Sequence, residues 1–339
     1  MLLPAVLSRR KLPVNLREDE LMLFSDEIER LIPAVNLQEI GNVRISPDGL
    51  LFKRGQILSE SFAFPSLQDE WKKRSVVKLL VRNYILRKTR LIEDDAVWIV
   101  DTWSKGYFHW LSDALCKLFL IRELLNERTL LLPHQYQGLD FVWGSLKAFA
   151  VKDVRFTDAN EVLRCDKLVL PAPVAPSGHF RDEIIQGVRH QLTSYYSANA
   201  PSTPDGRIYI SRERAPKRKL SNEAEILDVL RGFRFEVIHA EDLLFVDQIR
   251  IFSQTRYLIS NHGAGLTNML FMNTGARVLE LRHETDRVNN CYFTMSSALN
   301  LDYFYQTCEP TNSGEDAHTA NLVVDAERLE KNLRIMLKD

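Results

Sequence analysis

Hydrophobic and polar positions divide this chain into two parts with different rhythms. From residue 206 onward, short apolar runs alternate with amphipathic stretches. The runs are Gly206-Arg-Ile-Tyr-Ile-Ser-Arg212, Phe235 to His239, Tyr257 to Ile259 and Ala276-Arg-Val-Leu-Glu-Leu281. Helical patterns lie between and after them, over Glu223 to Leu230, Leu266 to Met272 and Ala326 to Leu337. This strand–helix alternation predicts a parallel, doubly wound sheet. Asn222-Glu223-Ala224-Glu225 reads as a helix N-cap with its capping-box Glu. The earlier part is less regular. Arg17 to Ile32 reads as an amphipathic helix with Leu21, Phe24, Ile28 and Leu31 on one stripe. Strand-like pieces follow at Val43 to Ile45, Leu50 to Phe52 and Ala96 to Val100, with Pro and Gly between them. Residues 107–126 read as a helix, and Thr129 to Leu132 and Lys167 to Leu170 as strands. Pro171 to Gly178 is a linker or an active-site loop, and Arg181 to Tyr196 a polar helix. Ala200-Pro-Ser-Thr-Pro-Asp-Gly206 concentrates turn formers and marks the domain boundary. The expected domains are therefore 1–199 and 200–339, with the terminal helix free to pack back on the first.

Composition narrows the class. The 339 residues are 45% hydrophobic and 26% charged, enough to bury a sizeable core. A net charge of −1 and a pI near 6.7 give no nucleic-acid footprint. The four cysteines (Cys116, Cys165, Cys291 and Cys308) are scattered and form no Cys-x-x-Cys pair, so neither a zinc site nor a disulfide framework is expected. Met1 to Arg10 has too short an apolar run, and charges on the wrong side, for a signal peptide. No apolar run reaches bilayer-spanning length. The expected location is the cytoplasm, with any membrane-bound acceptor reached peripherally from the inner face.

The most specific chemistry lies in Ser260-Asn-His-Gly-Ala-Gly-Leu-Thr-Asn268. A strand runs into a loop with two glycines and then into a helix. Such a loop admits close backbone approach by a ligand, and a helix start offers N–H groups to an anion. An open α/β sheet holds nucleotides at this kind of place. A plain turn needs no His, and this one carries His262. Arg212 ends one strand, and a basic stretch, Lys217-Arg-Lys219, follows it. Glu280 sits near the end of another strand, where Val-Leu-x-Leu would not otherwise select a carboxylate.

These residues carry a resemblance. Ile210-Ser-Arg212, Lys217-Arg-Lys219 before Asn222-Glu223, Asp247-Gln248, His262-Gly-Ala-Gly-Leu-Thr-Asn268 and Val278-Leu-Glu280 resemble the C-terminal half of the glycosyltransferase family 61 domain. Gly106-Tyr-Phe-His-Trp-Leu-Ser-Asp-Ala-Leu115 resembles that family's aromatic-rich His-Trp-x-x-Asp segment. Gly106 stands where the family has Asn, and Cys116-Lys117 replaces Pro-Arg. The resemblance implies a GT-B-like α/β fold, two Rossmann-like domains facing across a cleft. It also implies an inverting transfer of sugar from a nucleotide-sugar donor to a glycan or other hydroxyl acceptor, in polysaccharide or glycoconjugate synthesis.

Sugar transfer needs a base for the acceptor hydroxyl and a cationic site for the departing diphosphate. Asp113 is the first choice for the base and His109, four residues before it on one helix face, the second. The bland alternative is a helix-start Asp beside a packed His. Arg212, Arg218 and Lys219 are the expected diphosphate ligands, since Arg grips phosphate with paired hydrogen bonds. His262, Gly263, Ala264, Gly265 and Asn268 complete the donor loop, although Asn268 could equally bond within the fold. Glu280 is expected on the ribose hydroxyls. No Asp-x-Asp occurs, so neither a metal nor another cofactor is expected. The alternatives are a Rossmann-type oxidoreductase or epimerase, which the missing N-terminal Gly-x-Gly-x-x-Gly disfavours, and a binding subunit without catalysis.

Overall fold

A computed structural model describes residues 1–72, 76–196 and 204–338. The chain forms two compact units. One comprises Met1–Val6 and Pro33–Ser177, the other Leu7–Ile32 and Gly178–Asp339. The expected division after residue 199 falls within 197–203, outside the described residues. Both units are mixed α/β.

In the first unit the long strand Glu161–Pro171 organises a mixed sheet. It pairs antiparallel with Leu37–Ile45 and parallel with Lys88–Ile92 and Ala96–Val97. Ala96–Val97 continues in parallel to Thr129–Leu132, and that strand to Val154–Phe156. The helical segment after Ala96–Val97 and the helix Asp140–Ala148 make the crossovers that parallel strands require. Leu51–Lys53 and Gln56–Ile57 extend the other edge as antiparallel strands.

The second unit matches the alternation read over residues 206–281 and continues it with a helix and a fifth strand that the sequence reading did not mark. Strands β1 (Gly206–Ile210), β2 (Glu236–Ile238), β3 (Thr255–Asn261), β4 (Arg277–His283) and β5 (Asp302–Pro310) lie in the order 2-1-3-4-5. All four contacts are parallel. Leu322–Val323 adds a short antiparallel edge. Helices cover both faces of such a sheet, so its strands read as continuous apolar runs. Strand order reverses between β1 and β3, the topological switch point where open α/β sheets bind ligands. Arg212 and His262 follow those two strands directly.

Three expectations change. Arg17–Ile32 is not one helix: Glu18–Leu23 is a 3-10 turn, Ser25–Ile28 a single α turn, and Glu29–Ile32 a strand. Tertiary contacts override the periodicity. Phe24 is enclosed by Phe293, Tyr303 and Tyr305, while Leu21 and Leu31 of the supposed stripe are exposed. Second, the terminal helix Ala326–Met336 packs on the second unit, where Leu329, Leu333 and Met336 join Ile226, Leu230 and Leu279 in one core. Third, Asn222 does not cap the helix Glu223–Gly232 with its side chain. Its amide instead pairs with the backbone of Val324 in both directions.

Candidate functional site

Of the residues predicted for the donor, Arg212, His262, Gly263, Gly265 and Glu280 lie around the C-terminal ends of β1, β3 and β4. Gly263 has extended backbone, so its conformation does not require glycine; its neighbour does. A Cβ at Gly263 would overlap the Arg212 guanidinium, with Cζ at 2.5 Å. Gly265 is similarly close, with Ile210 Cγ2 at 3.1 Å from an added Cβ. The two glycines therefore let the loop lie directly on the end of β1 and on Arg212.

Arg212 donates to two backbone carbonyls, from Nη2 to Lys217 O at 3.2 Å and from Nε to Arg218 O at 3.4 Å. Burial pushes its pKa down, and the Arg218 charge pushes it further the same way. Two guanidinium groups thus converge with carbonyls as the ligands of one of them, an arrangement that an anion would relieve. Arg218 holds a left-handed backbone, with φ +56°. Its carbonyl also accepts from Asn261 Nδ2. Its Nε is buried and has no hydrogen-bond partner among the described residues. Lys219 is held through its backbone, where its N–H donates to Asn321 Oδ1 at 2.9 Å.

His262 Nδ1 lies 2.5 Å from Glu280 Oε1. The other oxygen of Glu280 accepts from the Tyr303 hydroxyl. Glu280 is 0% exposed. This differs from the expected ribose ligand: both of its oxygens are engaged, and its carboxylate orients His262. Burial works to raise the Glu280 pKa, but the adjacent His262, with Arg282 and Tyr303, holds it below the ordinary carboxylate range. Arg282 is buried too, and donates to Asn290 Oδ1 at 2.9 Å and to Asp286 O at 2.6 Å. The His262 ring meets Tyr292 edge-on at 5.0 Å.

The segment after Gly263 is a 3-10 helix over Ala264–Phe271, where an α-helix was expected from Leu266. Asn268 points inward and donates to Gln248 Oε1 at 2.9 Å. This is a bond within the fold, and it explains why Gln248 accompanies the glycine loop in the sequence motif.

The expected base pair lies in the first unit. The helix passes from α geometry at Tyr107–His109 to a wider π turn at Trp110–Ala114, then back to α at Leu115–Leu120. Such π turns recur at functional sites. Trp110 anchors it by donating to Ser145 Oγ at 2.8 Å. His109 Nδ1 is 2.9 Å from Asp113 Oδ2, and Ser177 Oγ donates to that same oxygen at 2.8 Å. Ser112 Oγ donates to Asp113 Oδ1 at 3.2 Å. The pair is thus a real contact, with both side chains partly exposed. Sequence reading missed Ser177, although the loop carrying it was marked as an alternative to a plain linker. Sequence reading also missed Tyr303 and Arg282: Arg282 lies just past the apolar run that ended at Leu281, and the strand Asp302–Pro310 carrying Tyr303 was not marked at all.

Among the described residues, no group of three His, Cys, Asp or Glu side chains is placed to hold a metal ion. No helix among them is long and apolar enough to cross a membrane.

Residues 107–279 match the family described as Glycosyltransferase 61. The chain is 32% identical over 123 residues to the EGF domain-specific O-linked N-acetylglucosamine transferase of Rattus norvegicus, covering 35% of this chain and 23% of that protein. It is 35% identical over 104 residues to the protein O-linked-mannose beta-1,4-N-acetylglucosaminyltransferase 2 of Mus musculus, covering 30% and 18%. With the Canis lupus familiaris protein of the latter name it shares 36% identity over 211 residues, covering 60% and 33%. The matches therefore span at most a third of these relatives' own lengths.

Proposed function

We propose, because this chain belongs to the glycosyltransferase 61 family, that it is a glycosyltransferase moving a sugar from a nucleotide-sugar donor to a hydroxyl of a glycan or glycoconjugate. The observation that carries the reading is the packing of Gly263 on Arg212 at the switch point between β1 and β3. There a buried cation and an unpaired Arg218 N–H meet a glycine loop, which suits a diphosphate. In this reading Arg212 and Arg218 bind the diphosphate and stabilise its departure, with Lys219 beside them. His262, oriented by Glu280, contacts the sugar or the diphosphate. Asn268 and Glu280 are positioning residues.

The base is His109. Asp113 Oδ2 already accepts from Ser177 and faces His109 Nδ1, and the contacts of the His109 ring among the described residues are made through Nδ1. With the Nδ1 proton directed at Asp113, Nε2 is left to accept the acceptor hydroxyl's proton. Asp113 fixes the tautomer and stabilises the imidazolium, the logic of a base held by a third group. The oxygen freed of its proton attacks the anomeric carbon, the bond to the diphosphate breaks, and inversion follows from attack opposite the leaving group. The pairing of two Rossmann-like domains as GT-B, the metal independence, a cytoplasmic setting and a role in polysaccharide synthesis belong to this proposal and rest on the family resemblance and sequence.

The relatives' names make nucleotide-activated N-acetylglucosamine the first donor to test. A panel of nucleotide sugars, read by thermal shift and by nucleoside-diphosphate release with and without glycan acceptors, should show one donor that stabilises the chain and turns over. Saturating donor adds roughly 2.7 kcal/mol at 100 times its dissociation constant. No shift with any nucleotide sugar or free nucleoside diphosphate would overturn the reading.

A further inference from the structure

The helical segment Val76–Val81, continued by the π turn Arg82–Leu86, is apolar on two sides. Its inner side is used: Leu80 and Tyr84 pack on Leu50, Phe52 and Phe62. Its outer side is not. Val77, Ile85 and Leu86 are 70%, 73% and 73% exposed, with Val81 between them also exposed. Residues 77, 81 and 85 fall four apart, so they form one stripe. Single exposed apolar side chains need no explanation, but a contiguous set marks an interaction site.

Tyr84 of this same helical segment lines a cavity of about 360 Å³ together with Gly41, Asn42, Arg44, Lys53 and Arg54. Three of the six are cations and none is a carboxylate. Tyr84 joins the cavity to the helix. Arg44 Cζ sits 4.5 Å from its ring centroid, and its hydroxyl accepts from Gly55 N at 3.2 Å. Arg54 and Gly55 form the two-residue turn between paired Lys53 and Gln56, both with positive φ. Asn, Asp or Gly is usual at the first place of such a turn, yet this chain puts a cation there. Nearby carboxylates face other cations: Asp48 lies 4.0 Å from Arg87, Glu161 4.0 Å from Arg90, Asp166 3.8 Å from Arg164 and Glu39 3.4 Å from Lys167.

We propose that this face docks on an anionic phospholipid bilayer. The Arg44, Lys53 and Arg54 cavity takes a headgroup phosphate, and Val81, Ile85 and Leu86 enter the interfacial layer. Basic residues beside a short apolar face are the combination that anionic interfaces bind. A soluble phosphate would use the cavity but not the stripe, and a neutral protein surface the stripe but not the cations. The proposal does not depend on the transfer reaction.

The test is co-sedimentation of the full chain with phosphatidylglycerol-containing vesicles and with pure phosphatidylcholine vesicles. Binding is expected to the first only, and to weaken with salt. At about fivefold per charge, Lys53→Ala with Arg54→Ala should weaken it roughly 25-fold. Ile85→Ser with Leu86→Ser should weaken it on the order of tenfold. Both variants should keep the wild-type unfolding temperature and nucleoside-diphosphate affinity, because the altered side chains are at the surface of the first unit. Absent vesicle binding overturns the proposal, whether inorganic phosphate binds saturably or not. So does wild-type vesicle binding by either variant. Self-association that Ile85→Ser with Leu86→Ser abolishes, without vesicle binding, would make the face a contact between copies of this chain.

Discussion

Replacing Gly263 by Ala should separate ligand binding from folding at the donor site. The backbone at Gly263 is extended, so alanine adopts it without torsional strain. The nearest obstacle is the Arg212 guanidinium, whose Cζ would lie 2.5 Å from the new methyl carbon. That group ends a flexible side chain, so it can swing away without backbone movement, and stability should fall by roughly 1–3 kcal/mol, the cost of its two long hydrogen bonds to carbonyls. Swinging away breaks its hydrogen bonds to Lys217 O and Arg218 O and removes it from the loop. The displaced guanidinium can no longer bond the diphosphate; a hydrogen bond to a charged group contributes roughly 1.5–3 kcal/mol, so nucleoside-diphosphate affinity should drop about 10- to 100-fold. Titration calorimetry with free nucleoside diphosphate measures this directly. The double-mutant cycle sharpens it: with Arg212→Ala already present, Gly263→Ala should cost almost nothing more, since both act through one guanidinium. Additive losses, or a Gly263→Ala protein that binds like wild type while Arg212→Ala does not, would refute the idea that glycine is there to seat Arg212.

Other outcomes follow from the same geometry. His109→Ala should cut turnover by about 10²-fold or more with donor affinity retained, and Asp113→Asn should cost less than His109→Ala while the pair is non-additive; near-normal steady-state turnover in His109→Ala would remove this helix from catalysis. Asn268→Ala leaves the buried Gln248 without that partner, so it should lower stability by roughly 1–3 kcal/mol with nucleoside-diphosphate affinity unchanged by calorimetry. The depressed Glu280 pKa makes its pairing a source of stability that is fully present above the unfolded value near pH 4.3 and is lost as pH falls through the folded one. Glu280→Gln should therefore lower the unfolding temperature at pH 7 and flatten its acid dependence in calorimetric scans. Transfer activity should persist in EDTA, and loss restored by magnesium or manganese would overturn the metal-independent reading.

The second unit was legible because its physics is local. A strand in a parallel sheet is covered on both faces, and so Tyr257 to Ile259 and Val278 to Leu281 read as unbroken apolar runs whose ends can be placed to within a residue or two. Crossover helices then carry amphipathic patterns that fix the alternation. The first unit resisted because its sheet is mixed and its pieces are short. Ala96–Val97 is a two-residue strand within a five-residue apolar run. The Arg17–Ile32 misreading has the same cause in sharper form. Helical spacing there is genuine, but Glu20 accepts from Tyr305 and Thr307, and Leu23 O accepts from Asn290. Contacts to residues almost three hundred positions away set that backbone, and no local period reports them.

The functional positions divide along a similar line. Residues proposed to touch a ligand stand out in sequence, because their types are wrong for their surroundings: a His among glycines, an Arg at a strand end, a His and an Asp four apart on an aromatic helix. Residues that hold those groups in place are right for their surroundings and do not stand out. Tyr303 is an ordinary strand aromatic until its hydroxyl is seen on Glu280, and Ser177 an ordinary loop serine until it is seen on Asp113. Glu280 shows how the two kinds can be confused. A carboxylate inside an apolar strand is conspicuous, which invites a direct role with ligand. Full burial and two engaged oxygens assign it to the supporting layer instead. Its prominence in sequence comes from the cost of burying a charge, which only a specific partner such as His262 offsets. An isolated charge in a core strand is therefore better read as a pointer to its partner, and the partner as the group that faces the ligand.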